Sequence, residues 1–286
     1  MLDITQVIAS GLLIGSLFSL IAVALNMIFG VMQIVNFAHG SFVMLGMYFA
    51  YWLSVLFNIN PYIALFLGIP VFFMLGVVIQ TTLMDRILDA PPINQFLLTL
   101  CLMLFLDNLA LLLWKPDYRT VQGGYTSATL LIGGVNISVT RLVAFGIMLI
   151  SVIALHLFLT RTYLGKAIRA TADDKEGAFL NGVNVPGIYR IVFGISTALA
   201  GIAGISMVPF FYVFPYVGLS FVITAYVVVV LGGLGSFAGA LLGGLIVGVS
   251  EAIGGYYLYG SLKSTVPLII FIAVLLFRPS GIFAGK

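Results

Sequence analysis

Few side chains in this sequence could do chemistry, and they are of two kinds. The first is a concentration of charge. Residues 161–190 hold Arg161, Lys166, Arg169, Asp173, Asp174, Lys175, Glu176 and Arg190, in a chain with only 12 basic and 9 acidic residues. The second is a set of polar groups stranded in apolar runs: Asn36, His39, Ser41, Asp107 and Glu251. A charge at the centre of a bilayer costs roughly 2.5–3.5 kcal/mol on insertion scales, so Asp107 and Glu251 must face protein or water, or be neutral. Asn36, His39 and Ser41 lie where the first apolar stretch breaks, beside Gly40. Amide, imidazole and hydroxyl groups at a broken helix suit the carboxylate and ammonium of a zwitterion. A tight helix turn without solute contact would use the same residues, and an interhelical hydrogen bond would account for Asp107. The lone Cys101 reads as a small buried hydrophobe and His156 as a satisfied core or interfacial histidine. Two histidines, one cysteine and scattered acids offer no metal site and no nucleophile–base pair, so no enzyme is expected.

The elements that must position these groups follow from composition. Of 286 residues, 62% are hydrophobic and 7% charged, and the mean hydropathy is +1.22. Soluble domains carry about 25% charged residues, so this chain cannot cover a water-facing surface and its main solvent is lipid. The 32 glycines suit helices that pack backbone against backbone. A net charge of +3 gives nucleic-acid binding no support. The N-terminus has no basic residue before its first apolar stretch, so a retained first helix is expected rather than a cleaved signal peptide.

About 20 apolar residues span a hydrocarbon core. By that ruler the candidate spans are 7–29, 39–57, 61–83, 93–114, 139–160, 191–214, 219–236, 238–256 and 264–277. The fold class is therefore all-α: a polytopic transmembrane helical bundle of eight or nine spans, in one transmembrane domain over 1–286. Gly232, Gly233 and Gly235 interrupt the stretch 219–256, and such a break at membrane depth must lie against protein or a water-filled cavity. With residues 161–190 cytoplasmic and nine alternating spans, Arg86, Arg161, Lys166, Arg169, Lys175, Arg190, Arg278 and Lys286 fall inside. Lys115, Arg119, Arg141 and Lys263 fall outside, which satisfies the positive-inside bias. Residues 115–140 then form a polar outer connection. Phe37-Ala38 and Phe237-Ala238, each following a break, hint at two corresponding half-domains.

Within 161–190 the spacing predicts one short helix over about 172–180. Thr171 to Asp174 resembles a capping box at its start, and Asn181-Gly182 supplies a stop. Ala178, Phe179 and Leu180 form its apolar contact set, with Gly165 and Gly187 as flexible ends. A helix this short is unstable alone in water, so docking on another protein, or on the parent membrane domain, must supply what length does not.

Glu176-Gly177-Ala178 followed by Gly182 resembles the E-A-A-x3-G coupling loop of ATP-binding-cassette importer permeases, with Gly at the second position of the motif in place of Ala. The runs 169–176 and 180–183, Phe29-Gly30-Val31-Met32-Gln33-Ile34-Val35-Asn36-Phe37-Ala38-His39-Gly40, and 231–244 are similar to the branched-chain amino acid permease family, over about 7 to 280. The Leu-Pro pair that ends the loop motif of other importers is missing. The resemblance implies an inner-membrane permease that pairs with a second homologous permease and two ATPase subunits, which bind the ATP and Mg. A periplasmic binding protein would deliver leucine, isoleucine or valine. The chain itself has no G-x-x-x-x-G-K-[ST] loop, so no cofactor is expected on it. Arg169, Asp173, Asp174, Glu176, Ala178 and Gly182 become candidate coupling residues. Asn36, His39, Ser41, Asp107 and Glu251 become candidate pathway residues. An importer of urea, short amides or another small polar solute fits the same pattern; a gradient-driven carrier or channel working alone is the other alternative, against which the coupling-loop pattern and the absence of a proton-relay chain weigh.

Overall fold

A computed structural model of the chain describes residues 2–121, 128–258, 265–278 and 281–283. Its helices are α1 (Leu2–Met32), α2 (His39–Phe57), α3 (Pro61–Thr82), α4 (Pro92–Trp114), α5 (Val139–Arg161), α6 (Tyr163–Asp173), α7 (Lys175–Leu180), α8 (Val185–Met207), α9 (Val217–Gly232), α10 (Phe237–Tyr257) and α11 (Thr265–Phe277). Seven of them, α1 to α5, α8 and α10, are long and apolar enough to cross a membrane; α9 and α11 are shorter apolar helices. The chain is an all-α, polytopic membrane protein.

The helices start and stop where elementary chemistry dictates. Asn60 caps α3, its Oδ1 accepting from Tyr62 N–H at 3.0 Å, and Pro61 fills the first position, where a missing N–H costs nothing. Asn184 and Pro186 open α8 in the same way, which moves that helix to Val185–Met207 from the expected 191–214. The apolar ruler overlooked the polar first turns of α8, and Pro209 lies just beyond the helix end.

α1 and α8 are the axis of the bundle, with 78% and 83% of their spans buried against only 22% for α5 and 28% for α3 and α4. The outer helices turn large apolar side chains such as Phe66, Phe105, Leu112 and Ile150 outward, an arrangement stable only where the surroundings are apolar too. Cys101 is among the outward residues of α4, and His156 is likewise exposed on α5, its ring 6.2 Å from that of Phe237. The expectation that Cys101 is buried fails because it falls on an outward face of α4, and of the two readings of His156 the core one fails in the same way. Close helix approach relies on glycine. A side chain at Gly15 or Gly248 would collide with the facing backbone between α1 and α10.

One end of the bundle carries an element the apolar ruler did not predict. β1 (Thr129–Ile132) and β2 (Val135–Ser138) form an antiparallel hairpin around a Gly133-Gly134 turn. Gln6 ties it to the start of α1, donating to Asn136 C=O at 2.6 Å and accepting from Asn136 N–H at 2.7 Å. The rest of the expected outer connection, 122–127, lies outside the described residues. The opposite end carries α6 and α7. There residues 281–283 fold back on the 232–236 break, Ile282 N–H donating to Leu231 C=O at 2.8 Å. The start of α1 and the last described residues thus sit at opposite ends, as nine alternating apolar helices require.

Candidate functional site

The candidate residues fall into three places, with Glu251 apart from all of them. Asn36, His39, Ser41 and Asp107 gather where α1 gives way to α2. α1 ends at Met32 and Gln33 takes φ +56, a left-handed conformation unfavourable for a side chain of that size. The chain then runs unwound to His39. Thr99 of α4 holds this stretch, its hydroxyl donating to Val35 C=O at 2.9 Å. Phe37 packs on Phe96 and Tyr226 with ring centroids 5.3 and 5.0 Å away. Gly40 lets α2 start directly against α9, since a side chain there would strike the Gly218 carbonyl.

Ser41 donates to Asp107 at 2.7 Å, both groups buried. His39 is fully buried and its Nε2–H donates to Ile21 C=O at 3.1 Å, which makes Nδ1 an acceptor. Among the described residues that Nδ1 has no hydrogen-bond partner, and neither polar atom of the Asn36 carboxamide has one, although Asn36 is also fully buried. An unmet polar group in such surroundings costs about 1–3 kcal/mol, so each such group calls for a partner such as water, an ion or a solute. The unmet inventory of Asn36 and His39 is an NH2 with two N–H donors and two acceptor atoms, which complements a carboxylate and an ammonium.

Glu251 does not join this cluster. It lines a cavity of about 430 Å3 with Ser220, Thr224 and Phe221 on α9. Gly218 and Val222 on the same helix pack against Gly40. Positions 218 and 222 share one face of α9 while 220 and 224 share another, so this helix stands between Glu251 and the cluster.

The glycine-rich break is the second place. Gly233 and Gly235 take φ of +103 and +82, values open to glycine at little cost. Gly232 ends α9 in contact with Gly239 at the start of α10. The break's polar groups are met by Asn26 of α1, which sequence reading missed. Its Oδ1 accepts from Gly235 N–H at 2.7 Å and its Nδ2 donates to Ser236 C=O at 2.8 Å. An amide deep inside a 31-residue apolar helix was the available signal.

The loop is the third place, and here the expected single helix over 172–180 is two. α6 runs amphipathically to Asp173, and Asp174 is extended (φ −151, ψ 102) before α7 begins. The cap is Asp174, not Thr171: its carboxylate accepts from Gly177 N–H at 3.0 Å, whereas the Thr171 hydroxyl donates to Ala167 C=O at 2.8 Å. A side chain at position 177 would strike that carboxylate, so the Gly that replaces Ala in the motif is what lets Asp174 cap. Gly182 ends α7 at φ +83. Gly165 and Gly187, expected as flexible ends, each lie in the capped first turn of a helix. Their N–H groups donate to the capping side chains of Thr162 and Asn184 at 2.9 and 3.1 Å.

This geometry divides the six loop candidates. Arg169 and Asp173 line a cavity of about 600 Å3 with Asn26, Gly235 and Ser236, under the glycine break. Glu176 lines a groove of about 680 Å3 with Lys175, Phe179, Leu180, Tyr189 and Asp85. Asp174 and Gly182 are exposed and shape α7. Ala178, expected as a surface contact, instead packs inward at 5% exposure, while Phe179 and Leu180 stand out at 67% and 83%. Asp85, held by Arg190 at 2.8 Å and by Gln80 at 2.9 Å, joins the end of α3 to α8 beside the groove.

The profile of the family described as branched-chain amino acid transport system, permease component, matches residues 7–275. The chain belongs to that permease family. It is 30% identical over 290 residues to the permease protein BraD of the high-affinity branched-chain amino acid transport system of Pseudomonas aeruginosa, covering 97% of this chain and 94% of that protein. Similarity to the permease protein LivH of Escherichia coli is 28% over 294 residues, covering 97% and 94%. A probable LivH of Methanocaldococcus jannaschii is 28% identical over 293 residues, covering 97% and 91%. No solved structure matches the chain. As a permease component it works in a membrane complex with other subunits.

Proposed function

We propose that this permease translocates branched-chain amino acids as one subunit of an ATP-driven importer in the inner membrane. In this reading a second homologous permease completes the path, and two cytoplasmic ATPases with their ATP and Mg engage the 161–190 loop. A periplasmic binding protein delivers leucine, isoleucine or valine. The observation that carries the reading is the exposed apolar pair Phe179 and Leu180 on a capped one-turn helix, rimmed by Lys175, Glu176 and Asp85. Water alone would not sustain so short a helix; a protein seated in the groove would. Arg169 and Asp173, on the preceding helix, lie beneath the glycine break, so motion imposed on α7 passes through α6 toward α1, α9 and α10. Asn36, His39, Ser41 and Asp107 form the solute station, and Glu251 lines a separate chamber. The relatives' names support the substrate, as do the aromatic walls of Phe37, Phe96 and Tyr226.

The test is ATP-dependent uptake in proteoliposomes holding the complete complex with its binding protein. Leucine uptake lost in the Glu176→Lys, Gly182→Val double variant, together with ATPase association, is the expected result. Association and solute-stimulated hydrolysis that survive this double change would remove the coupling role. Uptake of urea but not leucine would transfer the reading to a small polar solute, and uptake without ATP would make the chain a carrier or channel.

A further inference from the structure

Beneath the hairpin lies a cavity of about 510 Å3, at the end of the bundle opposite the coupling loop. Its wall is polar for a membrane protein: Gln6, Ser10, Thr120, Asn136, Ser138 and Arg141 contribute to it. Most of these groups are already engaged. Gln6 is bonded twice to Asn136, and the Ser138 and Thr140 hydroxyls share a bond of 2.9 Å. Arg141, the one formal charge on the wall, is different. Among the described residues its guanidinium has neither a hydrogen bond nor an ion pair, and its one recorded partner is the Phe210 ring, 5.9 Å away. It stands in the first turn of α5, where the helix dipole opposes a cation. Five N–H donors, fixed in a planar fork and half withdrawn from water, match a carboxylate or a phosphate; of the two, an amino acid carries the carboxylate.

We propose that this cavity is an entry vestibule in which Arg141 takes the carboxylate of the solute before it passes inward. The inference rests on the reading of the chain as an amino acid permease and adds a site to it. Phe210 and Leu13 line the vestibule, while their neighbours Phe211 and Ile14 line the Glu251 chamber. The two cavities therefore share a thin partition made of α1 and the 209–214 segment. A zwitterion held at Arg141 by its carboxylate is one partition away from an acidic side chain.

The test uses the reconstituted complex carrying Cys101→Ser, which removes the native thiol, and Ala9→Cys, a reporter on the vestibule wall. Leucine uptake by this parent is measured first, and its absence would sink the transport reading itself. Labelling with a sulfonate-bearing thiosulfonate is then followed in a phosphate-free detergent. The expected result is labelling about 10-fold slower in Arg141→Gln, largely restored in Arg141→Lys. Leucine protects the parent, and leucinamide, which lacks the carboxylate, does not. The KM for uptake rises roughly 10- to 100-fold in Arg141→Gln, the scale of one charge-assisted hydrogen bond. Equal labelling with and without Arg141, or equal protection by leucinamide, overturns the vestibule while leaving the transport reading intact. Protection that vanishes in phosphatidylglycerol vesicles assigns Arg141 to lipid headgroups and also overturns it. Protection by the ligand-free binding protein alone does the same, assigning Arg141 to a protein carboxylate.

Discussion

The two breaks in this bundle solve one problem in opposite ways. Residues 233–236 turn between α9 and α10 with glycine at both left-handed positions, and Asn26 satisfies Gly235 N–H and Ser236 C=O in a single bidentate grip. Residues 33–38 turn between α1 and α2 with a glutamine in the left-handed region, and leave the Asn36 amide and His39 Nδ1 buried without partners. One break is closed and quiet. The other is strained and chemically unfinished, the state expected where structure has been kept for function rather than stability. The closed break lies over Arg169 and Asp173; in the proposed function it transmits motion, while the unfinished one meets the solute.

This contrast can be broken or sharpened by mutation. The largest effect is expected from Gly40→Val, which forces α2 off the Gly218 backbone. Overpacking costs about 1–3 kcal/mol even where side chains can yield, and backbone yields less. Size-exclusion profiles of detergent extracts should show the folded species lost. Asn26→Leu comes next. It strands two backbone groups of the closed break at about 1–3 kcal/mol each, so the melting temperature should fall by several degrees and amide exchange at Gly235 should accelerate.

Asn36→Leu has the opposite sign. Removing an unpaired amide should leave stability unchanged or raise it by about 1–2 kcal/mol, while leucine uptake falls at least about 10-fold. A variant that melts lower and still transports would show that the 33–38 break is merely structural. The smallest effect belongs to Ser236→Ala. Its hydroxyl accepts from Gly239 N–H at 3.1 Å to cap α10, worth about 1 kcal/mol, and uptake should be nearly untouched.

Parts of this were legible in the sequence because they depend on short-range chemistry. The apolar runs marked nine helices, most to within a few residues, and both breaks were visible as polar or glycine interruptions. The boundaries failed at α8, whose polar start escapes a hydropathy ruler, and inside the loop. There Thr171 and Asp174 are equally plausible caps on paper. Only the inward burial of Thr171 and the empty space at Gly177 that admits the Asp174 carboxylate decide between them. The hairpin was missed because two four-residue strands leave little periodicity to read. Ala178 was misjudged because a single turn of helix does not announce which of its faces is covered.

By itself the sequence established the solvent, the class and the family: too little charge for water, runs of the length a bilayer needs, and motifs local enough to read in order. Tertiary structure alone decided which polar groups are finished. Asn26 meets the glycine break 210 residues away, and Ser41 meets Asp107 66 residues away, while Asn36, no different in type from Asn26, meets nothing. Composition and period act along the chain, whereas hydrogen bonding acts between whatever the fold brings within 3 Å. What a stranded amide does can therefore be read only after folding has chosen its neighbours.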